Sequence, residues 1–157
     1  MRFLTTPALN RQMRAVLLLL ISAASLFTVS HTVLEAIRYG VTPAQITSTI
    51  LGDEELFIDP IPFEELLLEV HMNLFFIFLL LAVLGASYIR LCNGTRSAIY
   101  LVTALGAASL TAQAVFLLIP AAGTAAAALW IFLTVFWHLT ALFIAALCAK
   151  TLLKGRF

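Results

Sequence analysis

Long apolar runs separated by short polar connections set the rhythm of this chain. Four of them, roughly residues 15–36, 66–89, 98–119 and 125–149, dominate it. Each can cross a hydrocarbon layer of about 30 Å, which takes ~20 helical residues. The pattern predicts an all-α fold: an integral membrane four-helix bundle, up-down-up-down, forming a single transmembrane domain over residues 1–157. Within the runs, polar residues recur at helical spacing. On the first, Ser22, Ser25, Thr28, Thr32, Glu35 and Tyr39 form a stripe bordered by His31. Polar atoms facing lipid are costly, so the stripe is expected to point into the bundle. His31 and Glu35 stand four residues apart and can meet.

The second run opens with Glu65, Glu69 and Asn73 on one face. His71 lies on another, in line with Glu64, Leu68, Phe75, Ala82 and Gly85. The small residues below it suggest room for a neighbouring helix or a flat ligand. Thr103, Gly106, Ser109 and Gln113 give the third run a small, polar face suited to interhelical contact. On the fourth, Thr134, His138, Ala141, Ala145 and Cys148 share an inward face, and Trp130 is expected as an interface anchor.

The connection over residues 40–62 carries its own signals. Gly40 stops the first helix. Thr42-Pro43-Ala44-Gln45 then reads as a capped helix start. With Ile46, Ile50 and Leu51 on one side and Gly52 at its end, this piece predicts a short helix at the outer membrane surface. Pro60 and Pro62 break the chain before the next span. Asn93-Gly94 and Pro120 with Gly123 mark the other turns.

Composition agrees with the pattern. At 62% hydrophobic and 11% charged, with a mean hydropathy of +1.07, the chain is too apolar for a water-soluble globule of 157 residues. Its net charge of +1 conceals a segregation. Lys and Arg at 2, 11, 14, 90, 96, 150, 154 and 156 fall on one side of a four-span layout, with Arg38 the exception. Seven of the eight acids lie between Gly52 and Phe76, and the eighth is Glu35. The positive-inside rule puts both termini and the 90–97 loop in the cytoplasm and the acidic loop outside. Residues 1–14 form a basic arm, and Ser22-Ala23-Ala24 resembles a cleavage site. Apolar character continues to Val33, so the first run is read as a retained span. Cys92 and Cys148 fall toward the reducing side and have no CxxC partner, which predicts buried filler rather than a disulfide or redox pair.

The stretch GVTPAQITSTILGDEELFIDPIPFEELLLEVHMNLFF resembles the outer loop and second helix of a group of small, uncharacterised bacterial four-span membrane proteins. Its TP start, its Gly followed by acids and its H-x-N-L-F helix opening carry the likeness, over about a quarter of the chain. The resemblance implies a bacterial inner (cytoplasmic) membrane and brings over no catalytic residue.

Intramembrane ionisable residues point to function by default. One expectation is b-type haem held by imidazoles from two inward faces, with His71, His31 and His138 as cofactor-binding candidates. At ~1.5 Å per residue, His31 lies about 9 Å below the outer end, His71 about 12 Å and His138 about 20 Å. Similar depth favours His31 with His71 as the iron ligands, with His138 in reserve. A second expectation is quinone chemistry, with Glu69 and Glu35 relaying protons. The alternative is a non-catalytic subunit or assembly factor of a larger membrane complex, its histidines bonding neighbouring helices. Expected partners are the lipid bilayer and other membrane or periplasmic redox subunits. Ion or metal transport fits least, because no span is broken at its centre by Gly or Pro. Walker, GxSxG, HExxH and Rossmann motifs are absent, and the scattered basic residues give nucleic acid no surface.

The charge layout predicts that a reporter fused after Phe157 reads as cytoplasmic and one inserted near Gly52 as external. A reversed signal at either site would invert the orientation assigned here.

Overall fold

Helices begin and end where the local chemistry dictates in the computed structural model, which describes residues 11–154. The basic residues Arg2 and Arg156 lie outside that range. Helix α1 spans Arg11–Tyr39, and α2 spans Pro43–Leu51. Helix α3 covers Phe63–Leu80 and runs through a π-helical segment, Leu81–Gly85, into α4, Ala86–Leu91. Helices α5, Arg96–Phe116, and α6, Ile119–Lys154, complete the chain. Four stretches are long and apolar enough to span a membrane: Gln12–Tyr39, Phe63–Leu91, Arg96–Phe116 and Ile119–Lys154. The described residues contain no strand, only an isolated bridge between Asp53 and Ile58. The chain is a multi-pass membrane protein whose exposed apolar surface meets lipid.

Helix α6 is the centre of the packing and touches α5, α1 and α2. Small residues make the α5–α6 contact close: Ala108, Ala112, Ala127, Ala141 and Ala145 are all buried. Span two closes the bundle against α5. Gly106 of α5 faces Leu81, and a Cβ added at Gly85 would come within 2.9 Å of a Val102 methyl. The π-helical turn between Leu81 and Gly85 therefore packs directly on α5. At the basic end, Arg14 donates to the Leu153 carbonyl at 2.7 Å, which satisfies one of the free carbonyls at the end of α6.

The acidic end is closed by α2. Its capping box is complete: Gln45 N–H donates to Thr42 Oγ1 at 3.3 Å, and Thr42 N–H donates to Gln45 Oε1 at 3.1 Å. Ile46 and Ile50 are buried as α2 packs on α1 and α6. The apolar side expected to rest in lipid thus covers the bundle instead, because a protein surface was available to it. After Gly52 the chain makes a tight hairpin, with Asp53 Oδ1 accepting from the Glu55 and Leu56 amides at 3.0 and 3.2 Å. Ile61 N–H then donates to the Ile50 carbonyl at 3.0 Å and leads into α3.

Trp130, expected as an interface anchor, is 4% exposed. Its ring lies 6.0 Å from Tyr39 edge-on and 5.3 Å from Phe116, so it seals the core beneath α2. The polar stripe of α1 is narrower than its spacing suggested. Thr28, Glu35 and Tyr39 are buried, whereas Ser22 and Thr32 are exposed. Hydroxyls along it are satisfied by the helix itself: Ser25, Thr28 and Thr32 each donate to the carbonyl four residues back at 2.8–2.9 Å. Cys148 is buried, and Cys92 is half-buried.

Gly52 has φ +83 and ψ 164, a conformation open almost only to glycine, and an added Cβ would stand 2.9 Å from Ile58 O and Pro60 N. At Gly94 (φ +67) nothing lies within 4 Å of such a Cβ. Gly52→Ala is therefore expected to lower the unfolding midpoint in detergent clearly more than Gly94→Ala, which carries only the left-handed cost of about 1–2 kcal/mol. Equal shifts in the two variants would contradict this view of the hairpin.

Candidate functional site

Two polar layers lie one helical turn apart inside the acidic half of the bundle. Their positions follow from three registers: Glu35 and Tyr39 on α1, Glu65, Glu69 and Asn73 on α3, and Thr134 and His138 on α6. The layer nearer the acidic end is ionic. Arg38 bridges Glu65 at 2.7 Å and Glu69 at 2.8 Å, while Tyr39 donates its hydroxyl to Glu69. Glu65 and Arg38 remain half-exposed, and Glu69 is largely covered. Arg38 stood out in the sequence as the one basic residue among acids; its part is to neutralise α3 carboxylates at the bundle edge.

The deeper layer joins four helices. His31 Nε2 lies 3.2 Å from Asn73 Oδ1, and Asn73 Nδ2 donates to Gln113 Oε1 at 3.3 Å. His31 Nδ1 lies 3.2 Å from His138 Nε2 and 3.5 Å from Glu35 Oε2. The other nitrogen of His138, Nδ1, donates to the Thr134 carbonyl at 2.7 Å. Trp137 stacks on His138 with ring centroids 3.6 Å apart, and Phe27 and Trp137 lie 5.5 and 5.8 Å from the His31 ring. His138 is 3% exposed and Glu35 8%.

Hydrogen-bond accounting leaves this layer with an unusual centre. A carbonyl oxygen only accepts, so the Thr134 bond puts the proton of neutral His138 on Nδ1 and leaves a lone pair on Nε2. With the Asn73 oxygen facing it, neutral His31 carries its proton on Nε2 and leaves a lone pair on Nδ1; turning over the Asn73 and Gln113 amides would instead let Nδ1–H donate to His138. These lone pairs face each other at 3.2 Å. Glu35 Oε2 approaches the same point and makes no hydrogen bond, being 3.5 Å from His31 Nδ1 but poorly directed. Three acceptors therefore converge: the ligand atoms of His31, Glu35 and His138 all lie within 4.8 Å of one another. Leaving a buried acceptor unmet costs about 1–3 kcal/mol, and more for a charged one. A cation shared by the three removes that cost.

The site differs from the sequence expectations in its histidine pairing. His31 meets His138 and not His71, which is exposed. The reason lies in helix geometry: His71 and Asn73 are two residues apart, so they point about 200° away from each other, and Asn73 with Glu69 takes the inward face. The depth argument failed because the helix ends are not level. Tyr39 packs on Trp130. Tyr39 lies eight positions after His31, and Trp130 eight before His138, which brings the two histidines to one height. Helix α6 also contacts α2, which caps this end of the bundle.

This spacing also bears on haem. Axial nitrogens across one iron stand roughly 4 Å apart, twice a metal–nitrogen bond of about 2.0 Å, with a macrocycle between them. At 3.2 Å, with ring centroids 5.3 Å apart, His31 and His138 have the separation of adjacent ligands on one small ion. The pair as arranged does not accommodate an axial haem. Gln113, expected on the interhelical polar face of the third run, joins the layer through Asn73; Trp137 has no spacing signal of its own beyond its place next to His138.

No curated protein and no solved structure matches the chain. A family model described as a transmembrane helical domain, Aq_1264_TM, matches residues 40–156. The match takes in α2 to α6, with Glu69, Asn73 and His138, and stops short of α1, which contributes His31 and Glu35. With most of its length matched, the chain belongs to this family of transmembrane helical domains.

Proposed function

We propose that the chain is a proton-handling subunit for quinone-linked electron transfer in a bacterial inner membrane, working from its acidic, outward half. The observation that carries this reading is the pair of stacked polar layers: half-exposed Glu65 and Arg38 with Glu69 and Tyr39 in the outer one, and Glu35, His31 and His138 in the next. A quinol gives up two protons and two electrons when oxidised. The protons go to the lone pairs of His31, His138 and Glu35 and leave by way of Glu69; the electrons go to a redox partner subunit. Imidazole suits the step because a ring nitrogen with a free lone pair can take up a proton and release it again. An apolar groove between α1 and span two, walled by Leu20, Ala24, Phe27, Phe76, Leu79 and Val83, has the character required by an isoprenoid tail. Phe27 and Phe76, in contact at 5.0 Å, separate it from the polar layer one turn above.

Protein in lipid nanodiscs is expected to gain thermal stability in saturable fashion with a short-chain ubiquinone or menaquinone analogue. The gain should reach about 2.7 kcal/mol at a hundredfold excess over Kd and disappear in His31→Leu. A reduced-minus-oxidised spectrum after expression with ample haem provides the companion measurement. No stabilisation by either quinone, together with no haem bands, overturns electron transfer as the function.

A second reading, an accessory subunit of a larger membrane complex, is supported by His71. Its exposed imidazole lies about 12 Å from the start of α3, among exposed Leu67, Leu68, Met72 and Phe75. A polar ring directed at lipid is costly, and a partner helix with a matching polar group removes the cost. On that reading His71→Leu releases the chain from a complex seen by native electrophoresis of mildly solubilised membranes. Unchanged migration counts against it.

A further inference from the structure

We infer that His31, Glu35 and His138 form a binding site for a divalent first-row transition-metal ion, of which zinc is the reference case. Three independent observations point there. The first is ligand geometry: His31 Nδ1 stands 3.2 Å from His138 Nε2 and 3.5 Å from Glu35 Oε2, and all three atoms lie within 4.8 Å of one another. Two ligands at about 2.0–2.1 Å from a tetrahedral ion are separated by roughly 3.3 Å, so small concerted movements bring these atoms onto one centre. The second is the state of the ligands. A metal needs the unprotonated nitrogen of each imidazole, and the bonds to Thr134 O and Asn73 Oδ1 hold the protons on the opposite nitrogens. The third is Glu35, a carboxylate 8% exposed whose Oε2 makes no hydrogen bond and lies 3.5 Å from His31 Nδ1.

The chemistry of the set selects the ion. Two imidazoles and one carboxylate favour zinc and its divalent neighbours over calcium or magnesium, which take oxygen ligands. Three protein ligands leave at least one coordination position for water or another small ligand. Charge supports the choice: a divalent ion beside Glu35, with the Glu69 carboxylate in the adjoining layer, is far better compensated than an ion among neutral residues. Asn73 and Gln113 act as positioning residues that hold the His31 ring in register. A bound ion occupies the lone pairs that otherwise receive the quinol protons, so the two occupants exclude each other at this site; ion binding is measured without quinone and quinone binding without added ion, which keeps the failure of one distinguishable from the failure of the other.

The test uses full-length, tag-free protein in nanodiscs, stripped with a chelator and titrated with Co²⁺ and then with Zn²⁺. Expected are one ion per chain by elemental analysis, a visible Co²⁺ absorption that Zn²⁺ displaces, and quenching by Co²⁺ of Trp137, which stacks on His138. Glu35→Gln and His138→Asn should each weaken uptake at least tenfold, and Asn73→Leu should weaken it by about 10–100-fold through the ring orientation. His71→Ala, away from the site, should leave uptake unchanged. Helical content and unfolding midpoint, followed in every variant, separate lost ligands from lost fold; if His138→Asn is unfolded, Glu35→Gln decides. Absence of saturable uptake of either ion by the wild type overturns the site and leaves a proton between the imidazoles. Uptake unchanged in folded Glu35→Gln overturns it as well, by putting the ion elsewhere.

Discussion

A polar side chain placed in hydrocarbon has no water to fall back on, and that constraint organises this molecule. Glu35, His31, Asn73, Gln113 and His138 come from four different helices and meet in one layer. Apolar packing alone discriminates poorly between helix rotations in lipid, because lipid tails are as apolar as leucine. Turning α1 by one residue would expose Glu35 to lipid and strip His31 of both partners. The polar layer therefore sets the rotation of each helix, and the small residues of α5 and α6 permit the approach that it requires.

The two layers differ in how charge is compensated, and the difference has chemical consequences. At the edge, Arg38 neutralises Glu65 and Glu69 where solvent still reaches, so these pairs are worth little as stabilisers. Deeper in, no lysine or arginine among the described residues reaches Glu35. Its neighbours are imidazoles, which accept a proton or a metal ion according to what is offered. A centre of this kind can exchange its cation, whereas an arginine-paired carboxylate cannot. The proton uptake proposed for this layer and the metal site inferred in it both draw on this property.

His71 illustrates a limit of reading faces from composition. Small residues at Ala82 and Gly85 suggested an inward-facing groove below it, yet Gly85 serves contact with Val102 through the π-helical turn. That turn shifts the register of span two, so residues before and after it do not continue one face. Periodicity of 3.6 extrapolates across a regular helix and fails across an inserted residue. The four spans, the capped helix at Pro43–Leu51, the glycine stops and the inward face of His138 were all legible, because each depends on local propensity or on burial of a long apolar stretch.

What the sequence determined by itself was the environment and the inventory: lipid for four helices, charge divided between two ends, and a few ionisable residues that lipid would not tolerate on the outside. Which of those residues meet was decided only by tertiary structure. Relative height depends on where each helix starts against its neighbours, and that is set by long-range contacts such as Tyr39 on Trp130 and α2 on α6. Those contacts bring His31 level with His138 and leave His71 facing outward. The sequence carries no local signal for them, because the residues involved stand about a hundred positions apart (|i−j| of 107 for the two histidines) and their helices could slide by a turn without altering any local pattern.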